Sequence, residues 1–376
     1  MPLLWLRLVI SFGMSEEQEM IREAMRDFAE QAMRPIARDC DEASSVPDDF
    51  LQSVWDLGLT STQIPAAYGG AGEDRAPVTN AILLEELGYG CATLAAAALA
   101  PSGFANAIVD QGTEAQKKEL LPLFCGEKYH AASLAVVEPG ALPDASRPRT
   151  AAETKDDRYV LSGAKTFVPM GDRASHFLVI ARLTENGEGP QAFIVPRDAQ
   201  GLKVSEPELN MGLKALPTVG LELERVEVPR EARLGGDAGC DVRRILDGSR
   251  MALSALLVGL CRGVLEFCVP YTKDRVAFDE PISKKQAIAF RLAEMHIEIE
   301  AMRWMTWKTA SHVAQSDPEA AKQAHLTKQY VAEKSVWIAD NGIQILGGHG
   351  FIREHPVEMW FRNARTLSVL EGTLSV

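Results

Sequence analysis

Cysteine is scarce: six occur in 376 residues, at Cys40, Cys91, Cys125, Cys240, Cys261 and Cys268. None form a C-x-x-C pair, so neither a disulfide framework nor a cysteine zinc site is expected. Scattered thiols of this kind suit a reducing, cytoplasmic location. The seven histidines include no H-E-x-x-H, and no metal site is expected. The chain has no G-x-G-x-x-G, no G-x-x-x-x-G-K-[ST] and no G-x-S-x-G. A Rossmann turn, a P-loop and a serine-hydrolase elbow are therefore excluded. Positive charge is also in deficit, with 39 Lys and Arg against 52 Asp and Glu, a net charge of −13. Such a chain is a poor binder of nucleic acid or of anionic membrane, though net charge does not exclude a local basic patch for one anionic ligand. The apolar N-terminus is short, is broken by Arg7 and has no cleavage site, so no signal peptide is expected. Leu87 to Val109 is uncharged and long enough to span a bilayer, but it is mostly Ala and Gly with Pro101, Ser102 and Asn106. A buried helix pair is the better reading.

What is present is ordinary globular material, 46% hydrophobic and 24% charged. The length allows two or three domains. Ser15-Glu16-Glu17-Gln18 reads as a capping box. Ile21, Ala24, Met25, Phe28 and Ala32 then share one helical face, and Pro35 is expected to end the run. Helical pattern recurs at 48–57, 77–88 and 116–124. From Ala131 the texture becomes β. Strands are expected around Tyr159 and, after a turn at Ser162-Gly163, from Lys165 to Val168. Phe177 to Ala181 and Ala192 to Val195 flank a turn at Asn186-Gly187. Leu221 and Leu223 alternate with glutamates, and Val226 and Val228 continue out of phase, which predicts a bulge near Arg225. Long helices follow, over 242–273, 283–316, and from Asp317-Pro318 to about Leu346. The expected fold is α+β and multi-domain. It has an N-terminal helical domain (1–130), a middle antiparallel β-barrel or sandwich (131–236) and a C-terminal long-helix bundle (237–376).

Residues in this order carry a resemblance. The cues are Ser15 to Gln18, the Ile64 to Gly72 loop, Gly112 to Lys117, Leu121-Pro122 and Gly126-Glu127. Glu138-Pro139, Gly163-x-Lys165 and Asp247-x-x-Arg250 follow. Then come Arg275 to Phe278, Pro281-Ile282, Gln286, Gln344 to Gly348, Gly350, Pro356 to Glu358, and Glu371-Gly372-Thr373. Together they resemble the acyl-CoA dehydrogenase family over essentially the whole chain.

The resemblance implies FAD as cofactor and an acyl-CoA as substrate. It implies an α-proton taken by a base, a hydride taken by flavin, and electrons passed to an electron-transfer flavoprotein. Glu371 matches the base; its bland alternative is a solvated carboxylate near a chain end. A base of this kind is expected in an apolar pocket, where desolvation makes a carboxylate more basic. Gly372 would let backbone approach the ligand, and the N–H of Glu371 would polarise the thioester carbonyl. Arg250, with Asp247 one turn before it, matches a substrate-contacting arginine; the alternative is a surface ion pair. Arg275, Phe278, Gln286, Gln344, Gly347 and Gly348 match contacts to FAD of a neighbouring subunit, which implies a homodimer or homotetramer. For the glycine pair, a helix C-cap is the compatible alternative. Thr373 belongs to the same cofactor-facing set.

Three cofactor positions depart from the family. Its flavin-bonding Thr is Val137, its stacking Trp is Phe167, and its flavin-donating Thr is Pro169. Gly-Ser-Asp after Glu-Pro becomes Leu142-Pro143-Asp144, and a Gly after the Arg-to-Phe motif becomes Asp279. Two rival functions therefore stand beside the dehydrogenase: an acyl-CoA oxidase using oxygen, and one subunit of a heteromeric dehydrogenase. The family also starts nearer Phe12 and continues past Glu-Gly-Thr into another helix. A mis-called or disordered start before about Val9 and a missing final helix are expected here.

Overall fold

The computed structural model describes residues 13–72, 75–140, 144–184 and 189–376. The segment before Gly13, the Leu142-Pro143 substitution and the turn expected at Asn186-Gly187 lie outside them.

Helix α1 (Glu16–Phe28) starts as its sequence dictates. Ser15 Oγ accepts from the Gln18 N–H, and Gln18 Oε1 accepts from the Ser15 N–H. Pro35 does not end the helical run. A π-helical turn over Ala29–Met33 intervenes, and α2 (Arg34–Ala43) begins with the proline in its first turn. No intrahelical N–H is needed there, so the ring costs nothing. Helix α3 (Asp48–Asp56) follows, then α4 (Pro77–Gln111) and α5 (Glu114–Leu120). Helix α4 is the expected buried pair, broken at Cys91, whose φ of −162° and ψ of 107° are not helical.

Seven strands form one sheet: β1 (Ser133–Ala135), β2 (Ala151–Lys155), β3 (Arg158–Pro169), β4 (His176–Leu183), β5 (Pro190–Pro196), β6 (Leu202–Val204) and β7 (Thr218–Pro229). Their order is β1-β4-β2-β3-β7-β6, with β5 also paired to β4. Most pairings are antiparallel, but β1 and β2 both run parallel to β4. The bulge near Arg225 is present. Leu161 faces Val226 while Gly163 faces Leu223, which leaves one extra residue on β7, and Arg225 has φ +54°. It restores the inward phase of Val226 and Val228. The expected turn at Ser162-Gly163 is absent, because β3 runs through it. Gly163 is there for close approach: an added Cβ would lie 2.7 Å from Thr150 Cα.

The C-terminal helices are α6 (Val242–Asp274), α7 (Gln286–Ala314), α8 (Ala320–Leu346) and α9 (Val357–Val369). A small hairpin, β8 (Val276–Ala277) with β9 (Glu280–Pro281), joins α6 to α7. Asp317 accepts from the Glu319 N–H, so its cap acts just before α8 starts. Helices α4 and α6 are each long and apolar enough to cross a membrane, yet their apolar windows are 94% and 72% buried within the fold. One core cluster runs from α1 to α4 and through α6 to α9; two smaller clusters fill the β region.

Candidate active site

Helix α9 ends at Val369, and Leu370 turns the chain to an extended conformation. Gly372 follows with φ +72°, and a Cβ there would lie 2.2 Å from Val136 Cγ2. The segment is thus pressed onto the residue after β1, which only a bare backbone permits. Three hydrogen bonds hold it from the other side. The Thr373 N–H donates to Ser249 Oγ at 3.2 Å, the Ser375 N–H to Ser102 Oγ at 3.0 Å, and the Val376 N–H to the Gly248 carbonyl at 3.3 Å. Glu371 therefore projects from a segment clamped between α4, α6 and the sheet. No acceptor meets its own N–H among the described residues.

The Glu371 carboxylate does not stand in apolar surroundings. Arg250 Nε donates to both of its oxygens, at 3.2 and 3.1 Å. Arg250 Nη1 lies 3.5 Å from Asp247 Oδ1. This is no surface pair: the Arg250 and Asp247 side chains are 18% and 6% exposed. Burial pushes the Asp247 carboxyl up to about 6; Arg250 opposes this, and Asp241 and Glu371 add to it. Asp247 also lines a polar cleft of about 430 Å³ between α4, the start of α6 and the α7–α8 connection. Glu371 and Arg250 do not line that cleft.

Val137 and Phe167 lie side by side: the Val137 carbonyl accepts from the Thr166 N–H at 2.9 Å. Phe167 sits at an extra residue of β3, between the Lys165–Leu221 and Val168–Val219 pairs, with φ +53°. Its N–H donates to Glu208, at 3.3 and 3.1 Å to the two oxygens, and the Thr166 hydroxyl donates to Glu208 as well. The ring is half-buried. The Pro169 carbonyl accepts from Ser133 Oγ at 2.6 Å.

Glu138 and Lys165 carry no role that their local sequence signals. The structure joins them as a buried ion pair at 3.0 Å, with side chains 8% and 0% exposed. Glu138 also accepts the N–H groups of Arg149 and Thr150, each at 2.8 Å. Burial opposes ionisation of Glu138, but these bonds and Lys165 win and bring it down to about 2. Burial lowers Lys165 to about 8. The pair pins the start of the Val137 loop to β3. It spans 27 residues, so no local pattern signals it.

The remaining positions gather at the far end of α6. From Arg250 to Arg275 the helix rise is about 37 Å at ~1.5 Å per residue. Arg275 is exposed and has no ion-pair partner among the described residues. Phe278 is 87% exposed. Phe278 and Asp279 form the hairpin turn, with φ +55° and +65°. Asp tolerates this left-handed geometry better than most side chains, which explains its standing where the family has Gly. Gln286 opens α7, and Gln344, Gly347 and Gly348 are exposed at the end of α8. Nothing lies within 4 Å of a Cβ added at either glycine, and Gly347 does cap α8, with φ +59°. Tyr271, near the end of α6, meets His349 Nδ1 at 2.9 Å and ties the two segments together.

Models of the acyl-CoA dehydrogenase N-terminal, middle and C-terminal domains match residues 15–128, 133–226 and 241–376. The chain belongs to the acyl-CoA dehydrogenase family. It is 34% identical to the probable acyl-CoA dehydrogenase YngJ of Bacillus subtilis, over 98% of this chain and 97% of that one. The solved butyryl-CoA dehydrogenase of Megasphaera elsdenii superposes with a TM-score of 0.86 at 31% identity, covering 97% and 96% of the two chains. The prolyl acyl carrier protein oxidase AnaB gives 0.86 at 28% identity, covering 96% of each.

The residues of this acyl-CoA dehydrogenase family member fit FAD unevenly. At the far end, a guanidinium with no ion-pair partner among the described residues, an exposed aromatic ring with the Lys285 ammonium 5.7 Å from its centre, and two open glycines suit an anionic, aromatic cofactor. Near Glu371, the Phe167 ring can stack, whereas Val137 and Pro169 have no side-chain donor to offer. Thr373 is buried and spends its N–H on Ser249.

Proposed function

We propose that this chain removes hydrogen across the Cα–Cβ bond of an acyl-CoA thioester, giving the 2-enoyl-CoA. The observation that carries the reading is Glu371, a carboxylate presented on a clamped segment beside Arg250, at the family's base position. Bound FAD supplies the hydride acceptor. Glu371 takes the α-proton, and for that it must leave Arg250. Its N–H, which meets no acceptor among the described residues, donates in this reading to the thioester oxygen, where charge gathers as the α-proton departs. Arg250 and Asp247 then orient the substrate. The nearest fit for the electron acceptor is an electron-transfer flavoprotein.

The spread of the cofactor positions supports a homo-oligomer. The 37 Å along α6 exceeds the reach of one FAD, so Arg275, Phe278, Gln344 and the glycines would serve the cofactor of a second copy. Helix α7 supports this too: Phe290, Ile297 and Trp304, seven residues apart, are 62%, 65% and 41% exposed on one face.

The test is anaerobic mixing of FAD-loaded protein with acyl-CoAs of varied chain length. Bleaching of the flavin is expected, and Glu371→Gln should slow it by roughly 10²–10⁴-fold while FAD stays bound. Unchanged bleaching refutes the base assignment. The likeness to AnaB favours one second reading, an oxidase; peroxide released on turnover in air identifies it. A colourless protein that takes up no FAD until a partner chain is added identifies the heteromeric subunit.

A further inference from the structure

Lys328 on α8 is a buried cation whose hydrogen bonds go to backbone carbonyls. The residue is 4% exposed, and it forms no ion pair within 4 Å among the described residues. Its ammonium donates instead to two backbone carbonyls, Leu367 at 3.2 Å and Ser368 at 3.0 Å. These belong to the last turn of α9, three and four residues before Glu371. The Leu367 carbonyl also accepts the Leu370 N–H at 3.3 Å, and both carbonyls carry the partial negative charge of a helix C-terminus. A cation placed on them is favourable, and such charge-assisted bonds are about twice as strong as neutral ones. Burying an ammonium without a carboxylate is otherwise expensive. Two charged side chains face it: Glu371, from the segment after α9, and Arg250, from α6, with Asp247 behind Arg250. Burial is the main influence on Lys328 and lowers it to about 8.

We propose that Lys328 is a positioning residue for the base, fixing the end of α9 and so the segment from which Glu371 must turn from Arg250 toward the substrate. The hydrogen bonds on the far side of Glu371, from Thr373 and Ser375, fix the segment downstream; Lys328 fixes it upstream. Of the two anchors, only the upstream one titrates. When Lys328 loses its proton it can still donate, but without the charge the bonds weaken and the hold on α9 loosens.

This assignment rests on the reading of Glu371 as the base, and the experiment separates the two. Lys328→Met and Lys328→Arg are compared with the unaltered protein, each loaded with FAD and corrected for bound flavin. Amide exchange is followed across residues 366–376, and bleaching by acyl-CoA is followed from pH 6 to 9.5. In Lys328→Met, exchange of that segment should rise at least tenfold with the rest unchanged, and kcat should fall at least tenfold with KM within threefold. Lys328→Arg should recover both, and it should remove an alkaline limb near pH 8 that the unaltered protein shows, since arginine does not titrate there. Unchanged exchange in Lys328→Met overturns the proposal, as does an alkaline limb that persists in Lys328→Arg. If the unaltered protein bleaches with no acyl-CoA, the functional reading fails, and the exchange result still decides the role of Lys328.

Discussion

Asp247 destabilises the fold at neutral pH, and Asp247→Asn exposes that cost. The residue is 4% exposed, its Oδ1 has no hydrogen-bond partner, and Arg250 stands 3.5 Å away, too far for a good bond. Burial moves its ionisation from the ordinary 3.8 to about 6. Between these values the native state binds more protons than the unfolded chain. Stability therefore falls as pH rises through this window and stays lower above it. The shift is equivalent to up to about 3 kcal/mol at neutral pH. Attraction to Arg250 is already contained in it. For 376 residues the melting entropy is about 0.8 kcal/mol per degree, so the cost is about 4 °C. Asparagine has the same shape and no charge. Scanning calorimetry of the FAD-loaded protein should show the variant melting about 4 °C higher at pH 7.5, with the difference shrinking to about 1 °C or less at pH 4. Activity should fall at the same time, because Arg250 keeps only Glu371. A variant that melts at or below the unaltered protein at pH 7.5, or that keeps its full advantage at pH 4, refutes the reasoning.

Lys165→Met strands the buried Glu138 carboxylate and should cost about 3–5 kcal/mol, read as a lower melting temperature at pH 7. Glu138→Gln added to it should recover much of the loss, and no recovery would mean that Lys165 acts by packing alone. The stabilisation from Glu138 itself is full above its ordinary 4.5 and is lost as pH falls toward 2. Gly372→Ala forces an ordinary side chain into a left-handed backbone against Val136, about 1–2 kcal/mol for the conformation and about 1–3 for the clash. Because the strain falls beside Glu371, substrate bleaching should slow at least tenfold; a rate equal to that of the unaltered protein would show that the segment relaxes freely.

Local physics was legible in the sequence, and long-range pairing was not. The capping box at Ser15 and Gln18 is a four-residue pattern and reads directly. The bulge at Arg225 is legible because alternation breaks phase there. Pro35 misleads because the π turn that accommodates it leaves no compositional mark. Ser162-Gly163 misleads because glycine serves both turns and close approaches, and only the Thr150 backbone beside it tells which. The two parallel pairings of β4 depend on where the chain returns after distant loops. Only family order points to the far-end residues; nothing in Gln286 or Gln344 separately marks a site. No local pattern marks Lys328, because its acceptors lie 39 and 40 residues away, on a different helix.

The positions that kept the family pattern and those that lost it differ physically. Glu138, Lys165 and Gly372 are each required by the fold: two are halves of a buried ion pair, and one is wedged against Val136. Changing any of them costs several kcal/mol before chemistry is considered. Val137 and Pro169 contribute no side-chain hydrogen bond to the protein, and their backbone groups carry the loop contacts, to Thr166 and Ser133. Substitution there leaves the scaffold intact and changes only what a bound ring can meet. The fold thus tolerates loss of the two flavin donors. On the proposed reading, retention of FAD leans on the Phe167 ring, on backbone groups, and on Arg275, Phe278 and the open glycines at the far end of α6. In the proposed homo-oligomer, those far-end groups reach that cofactor from a second subunit. The weaker the local hold on the flavin, the more FAD binding should depend on assembly.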